Sequence, residues 1–117
     1  MKVKQLTDAE LIAVLTDSQQ SHKQLRAAWQ EFIGRFEHVV IRTIHISFRC
    51  LAPQWKLTIE QVCEIAERMF SHLSQDRLRS LWQWGCWTET HIEIGIQKLA
   101  FETVLEYLCE VGERRKA

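Results

Sequence analysis

Three tryptophans fall within six residues of one another: Trp82, Trp84 and Trp87. An indole offers a flat apolar face and a single N–H donor. Such a cluster can wedge a loop onto a core, anchor a partner protein, or stack unpaired bases at roughly 1–3 kcal/mol per base. Two glutamate series are the other residues whose spacing could do chemistry. Glu60, Glu64 and Glu67 recur at helical intervals, and so do Glu102, Glu106 and Glu110. Carboxylates spaced in this way line one helix face. The carboxylate metal sites of helical bundles use inward-facing Glu-x-x-His pairs, and neither series contains one. Both series therefore read as solvated faces or as protein-docking surfaces.

The remaining reactive side chains do not converge. His22, His38, His45, His72 and His91 are scattered along the chain. There is no G-x-S-x-G, no H-E-x-x-H and no phosphate-cradling glycine loop. No catalytic residue is assigned, and the chain reads as a non-enzyme. Cys50, Cys63, Cys86 and Cys109 contain no C-x-x-C spacing. A zinc site from Cys86 and His91 with Cys50 or Cys63 would lack the short paired spacing of structural zinc, so no metal or other cofactor is expected. In a reducing compartment such cysteines act as small core hydrophobes, a description that Cys63 fits best.

The elements that must position these residues are helical. One hundred and seventeen residues suit a single domain, with 46% hydrophobic and 26% charged residues, a globular mixture. One proline and four glycines are too few for the frequent turns of an all-β fold. Fifteen Lys+Arg balance fifteen Asp+Glu, whereas binding nucleic acid chiefly through phosphates favours a basic chain. No secretory signal and no apolar run of membrane-spanning length is present, so the expectation is a cytoplasmic protein that does not enter a membrane.

Thr7 to Glu10 has the form of a capping box and opens a short helix through Leu15. Asp17 or Ser18 then caps a long second helix, from about Gln19 into the forties, whose apolar stripe runs through Leu25, Ala28, Trp29, Phe32, Ile33 and Phe36. Gly34 lowers its helical propensity and suggests close approach by a neighbour. Residues 39–48 are β-branched, yet Val40, Ile44 and Phe48 continue the stripe, so this segment too reads as helix. Pro53 marks a loop. Thr58 to Gln61 is a second capping box, ahead of a stripe of Ile59, Val62, Ala66, Met69, Phe70 and Leu73. Glu64 and Arg68 form a favourable i,i+4 pair on that helix.

Residues 74–81 suggest a further short helix, and the tryptophans a loop. The last helix spans about Thr90 to Val111, with Leu99, Phe101, Val104, Leu105, Leu108 and Val111 inward. Arg114, Arg115 and Lys116 follow, where a helix dipole favours cations. The sum is an all-α, compact bundle of four to five helices.

In this order the segments resemble region 2 of bacterial RNA polymerase sigma factors of the sigma-70 family, particularly the extracytoplasmic-function group. The residues from Asp8 to Ile12 resemble its opening D-x-E-L-[LIV]. The run AWQEFIGRF at 28–36 is similar to its A-W-x-x-[FL]-[VI]-x-[RL]-[YF] helix, and EIAERMFSHL at 64–73 to its D-L-V-Q-E-V-F-x-x-L signature. FETVLEYL at 101–108 resembles F-x-x-W-L-x-x-I. The resemblance implies a helical bundle that docks on the clamp helices of RNA polymerase core through the helix carrying Glu60, Glu64, Glu67 and Arg68. It places Trp82, Trp84 and Trp87 where the family captures a flipped base of single-stranded promoter DNA, with Arg114, Arg115 and Lys116 trailing. The likeness covers nearly all of residues 1–117 as one domain, and the sequence ends where region 2 ends, so the expectation, in departure from a full sigma factor, is no second DNA-binding domain.

The chain departs from the family's pattern in two ways. Glu64 stands for the usual aspartate, and Glu67 and Arg68 for Gln-Glu. The last helix, basic in the family, carries Glu102, Glu106, Glu110 and Glu113. Residues 58–117 hold seven Lys+Arg against ten Asp+Glu, so the half expected to meet DNA is the acidic one. The alternative function is accordingly a helical adaptor that has lost DNA binding and uses the tryptophans or an acidic face on another regulatory protein.

Overall fold

Local signals start each helix where the chain allows them to be seen. The structure, a computed structural model, describes residues 2–17, 19–75 and 89–116. After a 3₁₀ turn at Val3–Gln5, helix α1 spans Asp8–Thr16, α2 His22–Leu51, α3 Ile59–Gln75 and α4 Glu89–Lys116. No strand occurs among the described residues, and the architecture is an all-α bundle. Thr7 Oγ1 accepts from the Glu10 N–H at 3.2 Å while the Thr7 N–H donates to Glu10 at 2.9 Å, completing the capping box of α1. The backbone N–H and hydroxyl of Thr7 hold the Glu10 carboxyl below its ordinary pKa. The box of α3 is made in the same way, between Thr58 and Gln61, at 3.2 and 3.1 Å.

The start of α2 differs from the expectation. Asp17 is the C-cap of α1, and its carboxylate accepts from the Gln19 N–H instead of opening the next helix. Ser21 is the N-cap of α2, its hydroxyl accepting from the Gln24 N–H at 3.3 Å. From there α2 runs for 30 residues, about 45 Å at the α-helical rise, and sets the 49 Å long dimension of the molecule. Its β-branched stretch stays helical because Val39, Val40, Ile44 and Phe48 are buried along one face; the Thr43 and Ser47 hydroxyls turn back onto the carbonyls four residues earlier, at 2.8 and 2.7 Å. Gly34 admits no neighbour: a Cβ there would meet nothing within 4 Å.

Helix α2 lies along α4 and also touches α1 and α3, while α3 packs on α4. Arg42 meets Glu93, and Phe48 meets Tyr107 further along, so α2 and α4 run in the same direction. The core is centred on Phe32, fully buried, with Trp29 stacked on it at 5.4 Å and Phe70 edge-on at 6.5 Å. Arg35 ties the N-terminal turn to this centre. It pairs with Asp8 and Glu31, each at 3.0 Å, and donates to the Val3 and Lys4 carbonyls. Partial burial lowers the Arg35 pKa, but its two carboxylate partners outweigh this and leave it raised.

Several inward assignments are corrected. On α3, Ile65 is buried, whereas Ile59, the first helical residue, is 80% exposed. Cys63 is exposed, as are Cys50 and Cys109, so none of the three is a core residue. On α4 the inward set is Ile92, Ile96, Leu99, Ala100, Val104 and Tyr107, while Phe101 and Leu105 face outward. Helix α4 also extends to Lys116, past the expected end at Val111.

Candidate docking surface

The acidic face of α3 is built on a helix whose other side is locked. Val62, Ile65, Met69, Phe70 and Leu73 are buried on one side, which leaves Glu60, Glu64 and Glu67 exposed on the other. These three glutamates share one solvent-facing side at the expected spacing. Glu60 and Glu67 form no hydrogen bond or ion pair with any described residue.

Arg68 occupies the border of that face and points along the bundle instead of away from it. Its Nη1 donates to Glu110 Oε2 at 2.7 Å and its Nη2 to Glu64 Oε1 at 3.2 Å. The guanidinium carbon also lies 5.6 Å from the centroid of the Tyr107 ring, within cation–π range. The hydrogen bond to Glu110 raises the Arg68 pKa; burial opposes it and both carboxylates reinforce it. Arg68 thus fastens α3 to α4 and orients Glu64.

Two turns earlier, Gln61 joins the same two helices. Its Oε1 accepts from Trp55 Nε1 at 3.2 Å as well as from the Thr58 N–H, and its Nε2 donates to the Tyr107 hydroxyl at 3.2 Å. The Trp55 and Phe48 rings pack beside Tyr107, with centroids 6.5 and 6.3 Å away. The loop before α3, its capping box and α4 therefore meet at a single amide. The sequence flagged Gln61 only as a cap. Tyr107 and Trp55 were not singled out, and Glu110 only as a member of an acidic series, since nothing in local spacing indicates contacts between residues 42 and 46 positions apart.

The other candidate residues are not brought to this surface. Trp82, Trp84 and Trp87 lie outside the described residues, as does Cys86. Of the expected short helix, residues 74 and 75 continue α3 and the remainder is outside the described residues. Arg114, Arg115 and Lys116 lie in the last turn of α4. Glu102 and Glu106 are exposed on α4 and, with Arg68, Ser71, His72 and Leu99, line a cleft of about 320 Å³ between α3 and α4. Among the described residues no group of three His, Cys, Asp or Glu side chains is placed to hold a metal ion. No helix among them is long and apolar enough to cross a membrane.

Fold and surface together define an all-α bundle that presents an acidic face on α3. Comparisons of the chain with family models, with curated proteins and with solved structures gave no match.

Proposed function

We propose that this chain is a non-enzymatic domain, similar to sigma region 2, that docks on bacterial RNA polymerase core through the outer face of α3. One observation carries the reading: Glu60, Glu64 and Glu67 are exposed along a helix whose opposite side is anchored in the core. A pre-organised charged face loses little entropy on binding and selects a partner of opposite sign. The partner is therefore cationic, and the resemblance supplies the polymerase clamp helices as its identity. Arg68 belongs to the scaffold of this surface, since both its carboxylate partners lie within the bundle.

The test is binding of the purified protein to RNA polymerase core, with and without a housekeeping sigma factor as competitor. Competition for one site is expected, and Glu60→Lys combined with Glu67→Lys should weaken binding by about tenfold or more through like-charge contact. Lack of binding at micromolar concentration would rule this reading out.

A second reading is favoured by α4, which exposes Glu102 and Glu106. Carboxylates repel phosphates, which suits an adaptor that binds another regulatory protein and no DNA. Tryptophan fluorescence separates the two. Salt-sensitive quenching by single-stranded promoter DNA supports contact through Trp82, Trp84 and Trp87, whereas unchanged emission supports the adaptor.

A further inference from the structure

Four of the large apolar side chains exposed on the described surface lie together. Ile46 of α2 and Ile94, Phe101 and Leu105 of α4 are 50, 46, 38 and 38% exposed, and all four line one groove of about 590 Å³ between these helices. The remaining two, Leu51 and Ile59, stand at helix ends. Single exposed apolar residues are ordinary, but a contiguous group of this kind marks a contact surface.

The charges beside the groove indicate what covers it. Along α2 its margin is basic: Arg42 and Arg49 are exposed, with His45 between them. Arg42 reaches Glu93 only at 3.5 Å, with both side chains about half exposed. Along α4 the charged residues of the groove are the exposed Glu102, at its outer margin, and Lys98. A groove with one basic and one acidic margin complements itself. A two-fold axis along the groove sets α2 of one copy over α4 of the other, running in the same direction, so basic margin meets acidic margin twice. A two-fold axis across the groove would set α2 on α2 and bring the arginines together. The chain's formal net charge of zero adds no overall repulsion between copies.

From this geometry we infer that the α2–α4 groove is an isologous interface between two copies of the chain. The apolar residues form its centre and Arg49 of α2 faces Glu102 of the other copy's α4 across the two-fold axis. This surface is separate from the acidic face of α3, so its failure would leave the polymerase reading untouched.

Sedimentation equilibrium of the full chain under reducing conditions, from micromolar to submillimolar concentration, tests the inference. A monomer–dimer equilibrium is expected. Ile46→Glu and Phe101→Glu should each raise the dissociation constant at least about tenfold while leaving the helical circular dichroism intact. Arg49→Glu and Glu102→Arg should each weaken the dimer, and their combination should restore it. This exchange leaves the apolar centre untouched and so decides the matter even if a floor variant fails to fold. A chain that stays monomeric throughout overturns the inference and leaves the groove to another protein's helix. A dimer indifferent to Ile46→Glu and Phe101→Glu, or an exchanged pair weaker than either single variant, overturns it as well.

Discussion

Helices α3 and α4 carry similar outer acids, but they use apolar residues differently. On α3 the apolar residues form one stripe, and apart from Ile59 at its first position the large ones are buried. On α4 they form two sets. Ile92, Ile96, Leu99, Ala100, Val104 and Tyr107 enter the core, whereas Ile94, Phe101 and Leu105 line the groove beside α2. Burial alone explains the composition of α3. It leaves an apolar surplus on α4, and that surplus needs a partner outside the bundle.

The sharpest way to break this comparison is to truncate an isoleucine from each set on α4. Ile96 is fully buried and Ile94 is 46% exposed, two positions away. Ile96→Ala should cost about 2–5 kcal/mol through lost transfer energy and the cavity left behind. Ile94→Ala should stay within about 0.5 kcal/mol in dilute solution, where the groove is open. Urea denaturation with unchanged slope would read both. Equal losses would mean that the two sets are not distinct.

The same contrast explains what could be read beforehand. On α3, the capping box at Thr58 and a single apolar stripe fix where the helix starts and which way it faces, so Val62, Met69, Phe70 and Leu73 were assigned inward correctly. On α4, apolar residues on two sides leave the phase undetermined by hydrophobicity alone. A stripe read from Leu99 onward took in Phe101 and Leu105 and passed over Ile92 and Ile96. The docking surface was legible only in part. The exposed glutamates and the Glu64–Arg68 pair follow from i,i+4 spacing, but the partners of Arg68 and Gln61 on α4 depend on tertiary packing that no local pattern encodes.

A smaller loss is expected where the two helices share a polar residue. Gln61→Ala removes the acceptor of Trp55 Nε1 and of the Thr58 N–H, and the donor to Tyr107. Loss of these three hydrogen bonds at a partly buried site should cost about 1–3 kcal/mol. Tyr107→Phe interrupts only the α4 end and should cost less. A reversed order would show that the ring contacts around Tyr107, and not the amide, join the helices. In the opposite direction, Gly112→Ala should stabilise α4 by up to about 1 kcal/mol, since a Cβ there meets nothing within 4 Å.

The smallest effect bears most directly on function. Arg68 connects Glu64 of the acidic face to Glu110 of α4, but these side chains are a third to a half exposed, and solvent screens such pairs. A double-mutant cycle on Arg68→Met and Glu110→Gln should give a coupling of about 0.2–1 kcal/mol that shrinks as salt is raised. Its larger consequence is positional. Glu110→Gln replaces a charged hydrogen bond by a neutral one, so Arg68 is held chiefly by Glu64 and the Tyr107 ring, and the Arg68–Glu64 pair gains freedom across the acidic face. Glu110→Gln should therefore weaken the proposed polymerase binding although residue 110 lies outside the three exposed glutamates of α3. A Glu110→Gln variant that binds normally while Glu60→Lys/Glu67→Lys does not would confine recognition to α3 and reduce Arg68 to a stabilising link.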